Sequence, residues 1–454
     1  MPLILYTENS DMDKKTGIIN FIKGLIIAAT AAGILFMLSK ILVLKSEDGI
    51  NQFDAFYKQP ENSIDVLFVG SSKVYCDIAT GVLWENHGIA SFDLGGAEAP
   101  AWVSYYQLKE ALKTQRPKVI CYEASVAAMY PSILCQSDEW ASDNSYGMKW
   151  NSNRTEQLRA NSETEESYRT RLNPFNVMHG RYNDLNENDF TNIRNTARYK
   201  GFDPRSKIVE METPDISGVT DTEPVSEKAE EYIRKIIQLA KSEDIPIILF
   251  ASPCDAVEEE QQIINSIWQI ADSEGVEHID FNLKYDEFDM DYSKDMSVGN
   301  HLGYTGNYKF SDYFGKILKE KYDIPDRRGD SRYVSWDWDA TYQNYERQDL
   351  LISRSENAAE VMNLASQGYI IFGINEDKGV IIENGEPVAG DPDQSEIRLV
   401  YKSGDNAFLM KDWYNKNDHM VSLFINDKEY TEFYGNILFI YDNVNHQYVR
   451  SIYF

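Results

Sequence analysis

The polar and apolar positions of this 454-residue chain fall into distinct regimes. From Ile18 to Leu44 (IINFIKGLIIAATAAGILFMLSKILVL) the chain is apolar apart from Asn20, Lys23, Thr30, Ser39 and Lys40, and this length suits the roughly 20 residues that cross a bilayer. Beyond it, short runs rich in Val, Ile and Phe alternate with segments of helical period. They read VLFVG (66–70), TGVLWENHG, ASFDLGG (90–96), AWVSYYQLKEALKTQ and KVICYEAS (118–125). The same alternation resumes at Glu227 with EKAEEYIRKIIQLAKSED, IPIILFASP (245–253), EEEQQIINSIWQIADSEG, VEHIDFN (276–282) and YKFSDYFGKILKEKY (308–322). Five near-continuous apolar strands joined by crossover helices predict a parallel sheet covered on both faces, an α/β domain over 61–328.

Residues 131–226 are polar and weakly periodic, too long for a plain loop, and predict a partly helical insertion. The character changes near IPDRRGDSRYVSWDWD (324–339). The stretch 329–350 reads as a linker, and a helical segment (SENAAEVMNLASQG) then leads into YIIFGINE, GVIIENG, IRLVYKSG, MVSLFIND and NILFIYDNV. Short strands separated by Gly, Asn and Asp predict a β-rich module over 351–454.

No small-x-small cleavage site follows Leu44, where the chain reads KSEDGIN, so the apolar segment is expected to be a retained anchor, with a cleaved signal and a buried helix as the alternatives. Lys14, Lys15 and Lys23 weigh slightly against Lys40 and Lys45, which favours a cytoplasmic tail (1–17), a linker (45–60) and an exported body. The balance of 44 Lys and Arg against 73 Asp and Glu gives a net charge of −29. Such a field repels phosphate backbones and anionic headgroups at long range and argues against nucleic acid as a partner. The four cysteines (Cys76, Cys121, Cys135, Cys254) show no C-x-x-C spacing and are expected as buried thiols, one disulfide being the alternative for an exported chain. His87, His278, His419 and His446 are isolated from acids and cysteines at ligand spacing, so no metal is expected. No glycine-rich phosphate loop is present, and no cofactor is expected.

The candidate chemistry lies where the first strand stops, at Gly70-Ser71-Ser72. In an open parallel sheet the pocket forms beyond the carboxyl ends of the strands. A serine there can expose its hydroxyl and offer its own N–H to an oxyanion; alternatively it caps the next helix. Gly95 and Gly96 end the second strand at the same edge, and Asp93 just before them is expected to cap a turn. His301, in Asn300-His301-Leu302-Gly303, precedes the last helix of the domain and is placed to reach the first strand.

The stretches LFVGSSKVYCDIATGVLWENHGIASFDLGG, YYQLKEALKTQRPKVICYE, HGRY (179–182) and HIDFN followed by HLGYTGNYKFSDYFGKIL resemble the SGNH (GDSL-like) hydrolases and acyltransferases, over roughly residues 61–330. More narrowly they resemble the membrane-anchored, DltD-like branch that works on cell-surface polymers. The resemblance implies a flavodoxin-like, three-layer α/β/α domain in which Ser72 is the nucleophile, Ser72 and Gly95 supply the oxyanion hole, and His301 is the general base. It also implies O-acylation of a cell-surface polysaccharide or teichoic-type polymer, with a membrane-bound O-acyltransferase as donor partner. The alternatives are an esterase using the same site and a non-catalytic glycan-binding surface protein. The family usually carries Asp three residues before the histidine, a position held here by Val298; the nearest upstream acid is Asp295, expected to loop back to His301, the alternative being a Ser72/His301 dyad. The asparagine of the family's third block falls near Glu123, a candidate for substrate binding that cannot donate a hydrogen bond when ionised. Lys73 is expected to tune the serine or hold an anionic substituent, or else to be solvated. His179 and Arg181 are candidates for an acceptor groove, or for a surface or packing role. SLFINDKEYTEFYGNILFIYDNVNHQYVRSIYF is similar to small interleukin-like β domains. There Tyr430, Tyr434, Tyr441, Tyr448 and Tyr453 are candidates for a glycan-contacting patch, with about half of them in the core by strand alternation.

Overall fold

The computed structural model describes residues 4–43, 47–191, 199–355, 358–364, 368–375, 379–383, 397–403, 406–415, 418–433, 435–444 and 446–453. The chain divides into two compact units between Ala340 and Thr341.

In the first unit the five apolar runs form one parallel sheet: β1 (Val66–Gly70), β2 (Ser91–Gly95), β3 (Val119–Glu123), β4 (Ile247–Ala251) and β5 (Glu277–Asp280). Their spatial order is β2-β1-β3-β4-β5. The first crossover therefore runs one way from β1 and the next returns past it to β3. Their two carboxyl ends diverge into loops leading to opposite sides, a topological switch point where ligands bind in such sheets.

The strands read as continuous apolar runs because both faces are buried. Leu67, Val69, Phe92, Leu94, Ile120 and Tyr122 face one core, shared with the helices Ala101–Ala111, Glu227–Ser242 and Glu258–Glu274. Phe68, Cys121, Ile248 and Phe250 face the other, against the helix Gly306–Lys321. Phe314 lies 5.6 Å from Phe68, 5.1 Å from Phe250 and 4.9 Å from Phe281 between ring centroids. Truncating it to alanine is worth about 3–5 kcal/mol. Asp93 lies inside β2 and caps no turn: its carboxyl is buried and neither oxygen finds a partner among the described residues.

The insertion folds into short helices, among them Asp138–Tyr146, Ser152–Ala160 and Pro174–Met178. Side-chain caps start them, Ser137 on Trp140 N–H and Asn151 on the Asn153 and Arg154 N–H groups. The N-terminal helix runs from Ile4 to Leu42, and its part from Thr16 to Leu42 is long and apolar enough to cross a membrane. Gln52–Tyr57, where a linker was expected, is helical and largely buried. All four cysteines are free thiols; Cys76, Cys121 and Cys254 are buried, which pushes each thiol up, that of Cys254 to about 12.

The second unit holds two four-stranded antiparallel sheets. One orders Ile397–Ser403, Asn406–Asn415, Asp418–Ile425 and Lys428–Phe433; the other orders Gln447–Tyr453, Ile437–Asp442, Tyr369–Asn375 and Gly379–Glu383. Phe372, Phe408, Met410, Leu423 and Phe439 fill a core shared by both sheets. Where a linker was expected, the helix Val334–Arg354 runs across the division, and its Ile352 packs with Tyr369, Ile371 and Leu438. Tyr441 is buried, Tyr430 and Tyr448 stack with centroids 3.9 Å apart, and Tyr453 is exposed. Tyr434 lies outside the described residues.

Candidate active site

Ser71 and Ser72 divide the two roles that the sequence leaves open. Ser71 caps: its Oγ accepts the Lys73 N–H at 3.2 Å and donates to Glu123 Oε2 at 3.2 Å. Ser72 takes the first position of the one-turn helix Ser72–Tyr75, half-buried, and its hydroxyl forms no hydrogen bond among the described residues. It faces a cavity of about 240 Å³ at the β1/β3 switch point, lined also by Lys73, Ala97, Tyr130, Gly299 and His301. Gly95 ends β2 beside it. A Cβ on Gly95 would stand 2.5 Å from the Ser71 carbonyl oxygen, so only glycine lets the two strand ends approach this closely.

His301 arrives on a short antiparallel ribbon, Met296–Ser297 against His301–Leu302. The ribbon turns through Val298, Gly299 and Asn300, the last two at φ 72° and 59°. Asn300 is held on both sides: its Oδ1 accepts the Asp255 N–H at 2.6 Å, and its carbonyl accepts from Lys73 Nζ. Lys73 is 1% exposed, which overturns its reading as a solvated residue. Among the described residues, no hydrogen bond joins Ser72 Oγ to His301 Nε2. They share the lining of the cavity.

The carboxylate behind His301 is Asp77, five residues after Ser72. Its Oδ1 lies 3.5 Å from His301 Nδ1, within ion-pair reach but too far for a well-formed hydrogen bond, and Nδ1 has no other partner among the described residues. Asp77 is itself fixed, accepting from Ser252 Oγ at 2.6 Å beyond β4 and from the Leu302 N–H at 2.9 Å. Asp295 does not meet the histidine. Its Oδ2 accepts the Asp291 N–H at 2.8 Å and pairs with Lys309 Nζ at 2.7 Å, which ties the carboxylate to the helix Gly306–Lys321. Val298 stands 42% exposed at the ribbon's turn. Burial holds His301 below the ordinary imidazole value; Asp77 opposes that shift, and the Lys73 and Arg205 cations add to it. The imidazole is thus neutral, as a base must be, at neutral pH.

Glu123 ends β3 fully buried, and burial pushes its carboxyl up against the opposing pull of Ser125, Lys73 and Ser71. It accepts from the Ser125 N–H at 3.1 Å and from the Ser125 hydroxyl, so it organises the strand ends and does not line the cavity. Gly95 is likewise absent from the lining; from its loop the cavity takes Ala97, whose N–H has no partner among the described residues, and Glu98. The Gly96 N–H is spent on the Gly70 carbonyl.

His179 and Arg181 belong to a different place. His179 is exposed, its Nδ1 2.9 Å from the Asn176 carbonyl. Arg181 Nη1 donates to the Leu42 carbonyl at 2.7 Å, and Nη2 pairs with Asp189 at 3.1 Å. It thereby satisfies one of the unpaired carbonyls at the end of the N-terminal helix. Neither residue lines the cavity that holds Ser72. No family model matches this chain, and no curated protein matches it.

Proposed function

We propose that the first unit is an SGNH-type domain of the membrane-anchored, DltD-like kind, acting outside the cytoplasmic membrane as a serine acyltransferase. The observation that supports this most is the convergence of Ser72 and His301 on one small cavity, with Asp77 behind the imidazole. His301 Nε2 takes the Ser72 hydroxyl proton as Oγ attacks the carbonyl carbon of the acyl donor, and returns it to the leaving group. An acceptor hydroxyl of a surface polysaccharide or teichoic-type polymer then gives its proton to His301 and attacks acyl-Ser72, releasing the new ester and free Ser72. The Ser72 and Ala97 N–H groups, with the glycine-dependent turn around Gly95, are the candidate donors to the tetrahedral oxyanion, each worth roughly 10² to 10³ in rate. A cavity of about 240 Å³ suits a short acyl group. The donor in this scheme is a membrane-bound O-acyltransferase.

Esterase activity is the second reading, favoured by the partial exposure of Ser72, which lets water compete with the acceptor. The loose 3.5 Å contact at Nδ1 favours the third, a glycan-binding protein without turnover. A fluorophosphonate probe separates enzyme from binder: covalent labelling of Ser72, absent in Ser72→Ala, is expected, and no labelling of the folded chain would reject catalysis. Release of acetate from an acetyl ester by the purified chain, at a rate unaffected by polymer hydroxyls, would select the esterase.

A further inference from the structure

A second cavity, of about 740 Å³, lies where the insertion meets the end of the membrane-length helix. Leu35, Phe36 and Lys40 of that helix line it, with Tyr146, Trp150 and Arg154 of the insertion. Arg154 is 8% exposed and its Nε is buried without a partner. Its guanidinium carbon lies 4.9 Å from the ring centroids of both Tyr146 and Trp150, and Nη1 reaches only the Met148 and Tyr146 carbonyls, at 3.2 and 3.5 Å.

Among the described residues no carboxylate pairs with Arg154, and no Asp or Glu lines the cavity. In a chain with 73 acids this is unusual placement. Arg171, also buried, pairs with Asp138 at 2.7 Å, and the partly buried Arg181 pairs with Asp189. A guanidinium stays charged in proteins, so burying it without an anion is costly unless a ligand supplies one.

We propose that this cavity binds an anionic glycerophospholipid, its phosphate on Arg154 and Lys40 and one acyl chain along Leu35 and Phe36. The bilayer is the source because two of the walls belong to the segment that is long and apolar enough to span it. Trp150, 61% exposed at the cavity, and Tyr146 are the aromatic types that settle at headgroup level. The net charge of −29 repels an anionic surface at long range. Selective retention therefore depends on this cavity and not on a general basic face, and it does not depend on the acyl-transfer reading.

The test uses the full chain reconstituted in phosphatidylcholine vesicles with and without phosphatidylglycerol, then extracted and weighed by native mass spectrometry. A single retained phosphatidylglycerol is expected, lowered at least about tenfold in Arg154→Gln and lowered in Lys40→Gln, whose exposed position leaves the fold intact. Added inorganic phosphate is expected to leave the lipid bound. Equal retention of phosphatidylcholine, unchanged retention in Lys40→Gln or in folded Arg154→Gln, or displacement by inorganic phosphate would each overturn the assignment.

Discussion

At the carboxyl edge of the sheet, the buried Lys73 and His301 side chains each have a partner group within the chain. Lys73 lies in the field of Glu123 and donates to the Asn300 carbonyl, and His301 has Asp77 behind it. At the foot of the membrane-length helix, Arg154 is nearly as deeply buried and has aromatic rings and carbonyls around it but no acid. On the two proposed functions, the difference separates a site that must be preorganised before its substrate arrives from one completed by what it binds. A reaction site needs its polarity fixed in advance, since reorganisation during the reaction adds to the barrier. A holding site can leave charge uncompensated, because the ligand's affinity includes the relief of that penalty.

The sharpest way to break the first half of this comparison is to separate the two serines. Ser72→Ala is expected to abolish probe labelling and polymer acylation, a loss of 10³-fold or more by analogy with serine triads, about the largest effect available here. Ser71→Ala removes a cap and a hydrogen bond to Glu123 and is expected to keep labelling while lowering stability by about 1 kcal/mol. Loss of labelling in the folded Ser71 variant and retention in Ser72→Ala would reverse the assignment.

Next in size is the carboxylate. Asp77→Asn is expected to slow labelling by roughly 10² to 10⁴, and Asp295→Asn to leave the rate near that of the unaltered chain. Asp77 is proposed as a positioning residue, so the pH profile carries the distinction from mere structural damage. Its anion raises the His301 pKa, and its removal lets the imidazolium lose its proton more easily. The rising limb of the profile should therefore move to lower pH in Asp77→Asn. An unmoved limb would show that Asp77 only supports the fold.

That pair of carboxylates also marks what the sequence makes legible. The five strands are visible because apolar runs such as VLFVG and IPIILFASP lie between amphipathic helices, and both faces of a parallel sheet demand that pattern. Ser72 and His301 are visible because each sits where a strand or ribbon gives way to a helix. Asp77 is not. Spacing to the histidine points to Asp295, whereas the carboxylate nearest His301 comes from just beyond the one-turn helix of Ser72, in GSSKVYCD. The signal in the sequence is an acid five residues after the serine. The strands Lys428–Phe433 and Gln447–Tyr453 interleave charged and polar residues with aromatic and apolar ones (KEYTEF and QYVRSIY) and so lack the continuous apolar run that announces a strand. The cavity holding Arg154 is built in part from polar insertion helices whose sequence periodicity is weak, so nothing in the linear pattern groups them with the end of the membrane-length helix.

Asp93 tests the principle in a third place, with a smaller effect. Its carboxyl is buried beside Asp77 with no partner among the described residues, and burial first, then the Asp77 charge, push its pKa well above the ordinary range. The folded state thus binds a proton that the unfolded chain releases above about pH 4. Stability falls as pH rises from there toward the folded pKa. Asp93→Asn removes this titration and is expected to stabilise the chain by about 1–3 kcal/mol at pH 7 and by less at pH 4, read from urea unfolding. Equal effects at both pH values would show that the carboxyl finds compensation within the fold.

The smallest effect is the most pointed. Lys73 and Asp77 act on the same imidazole with opposite signs, Lys73 lowering its pKa and Asp77 raising it. Replacing Lys73 by methionine keeps the apolar stem and removes the charge. Protonation of His301 then becomes easier, so the rising limb of the labelling profile should shift to higher pH, opposite to Asp77→Asn. Because burial is the first cause of the lowered value, the limb should still lie below the ordinary imidazole value of about 6.5. A shift to lower pH would mean that Lys73 acts chiefly through its bond to the Asn300 carbonyl, steering the ribbon that carries His301, and that charge compensation at this edge is geometric before it is electrostatic.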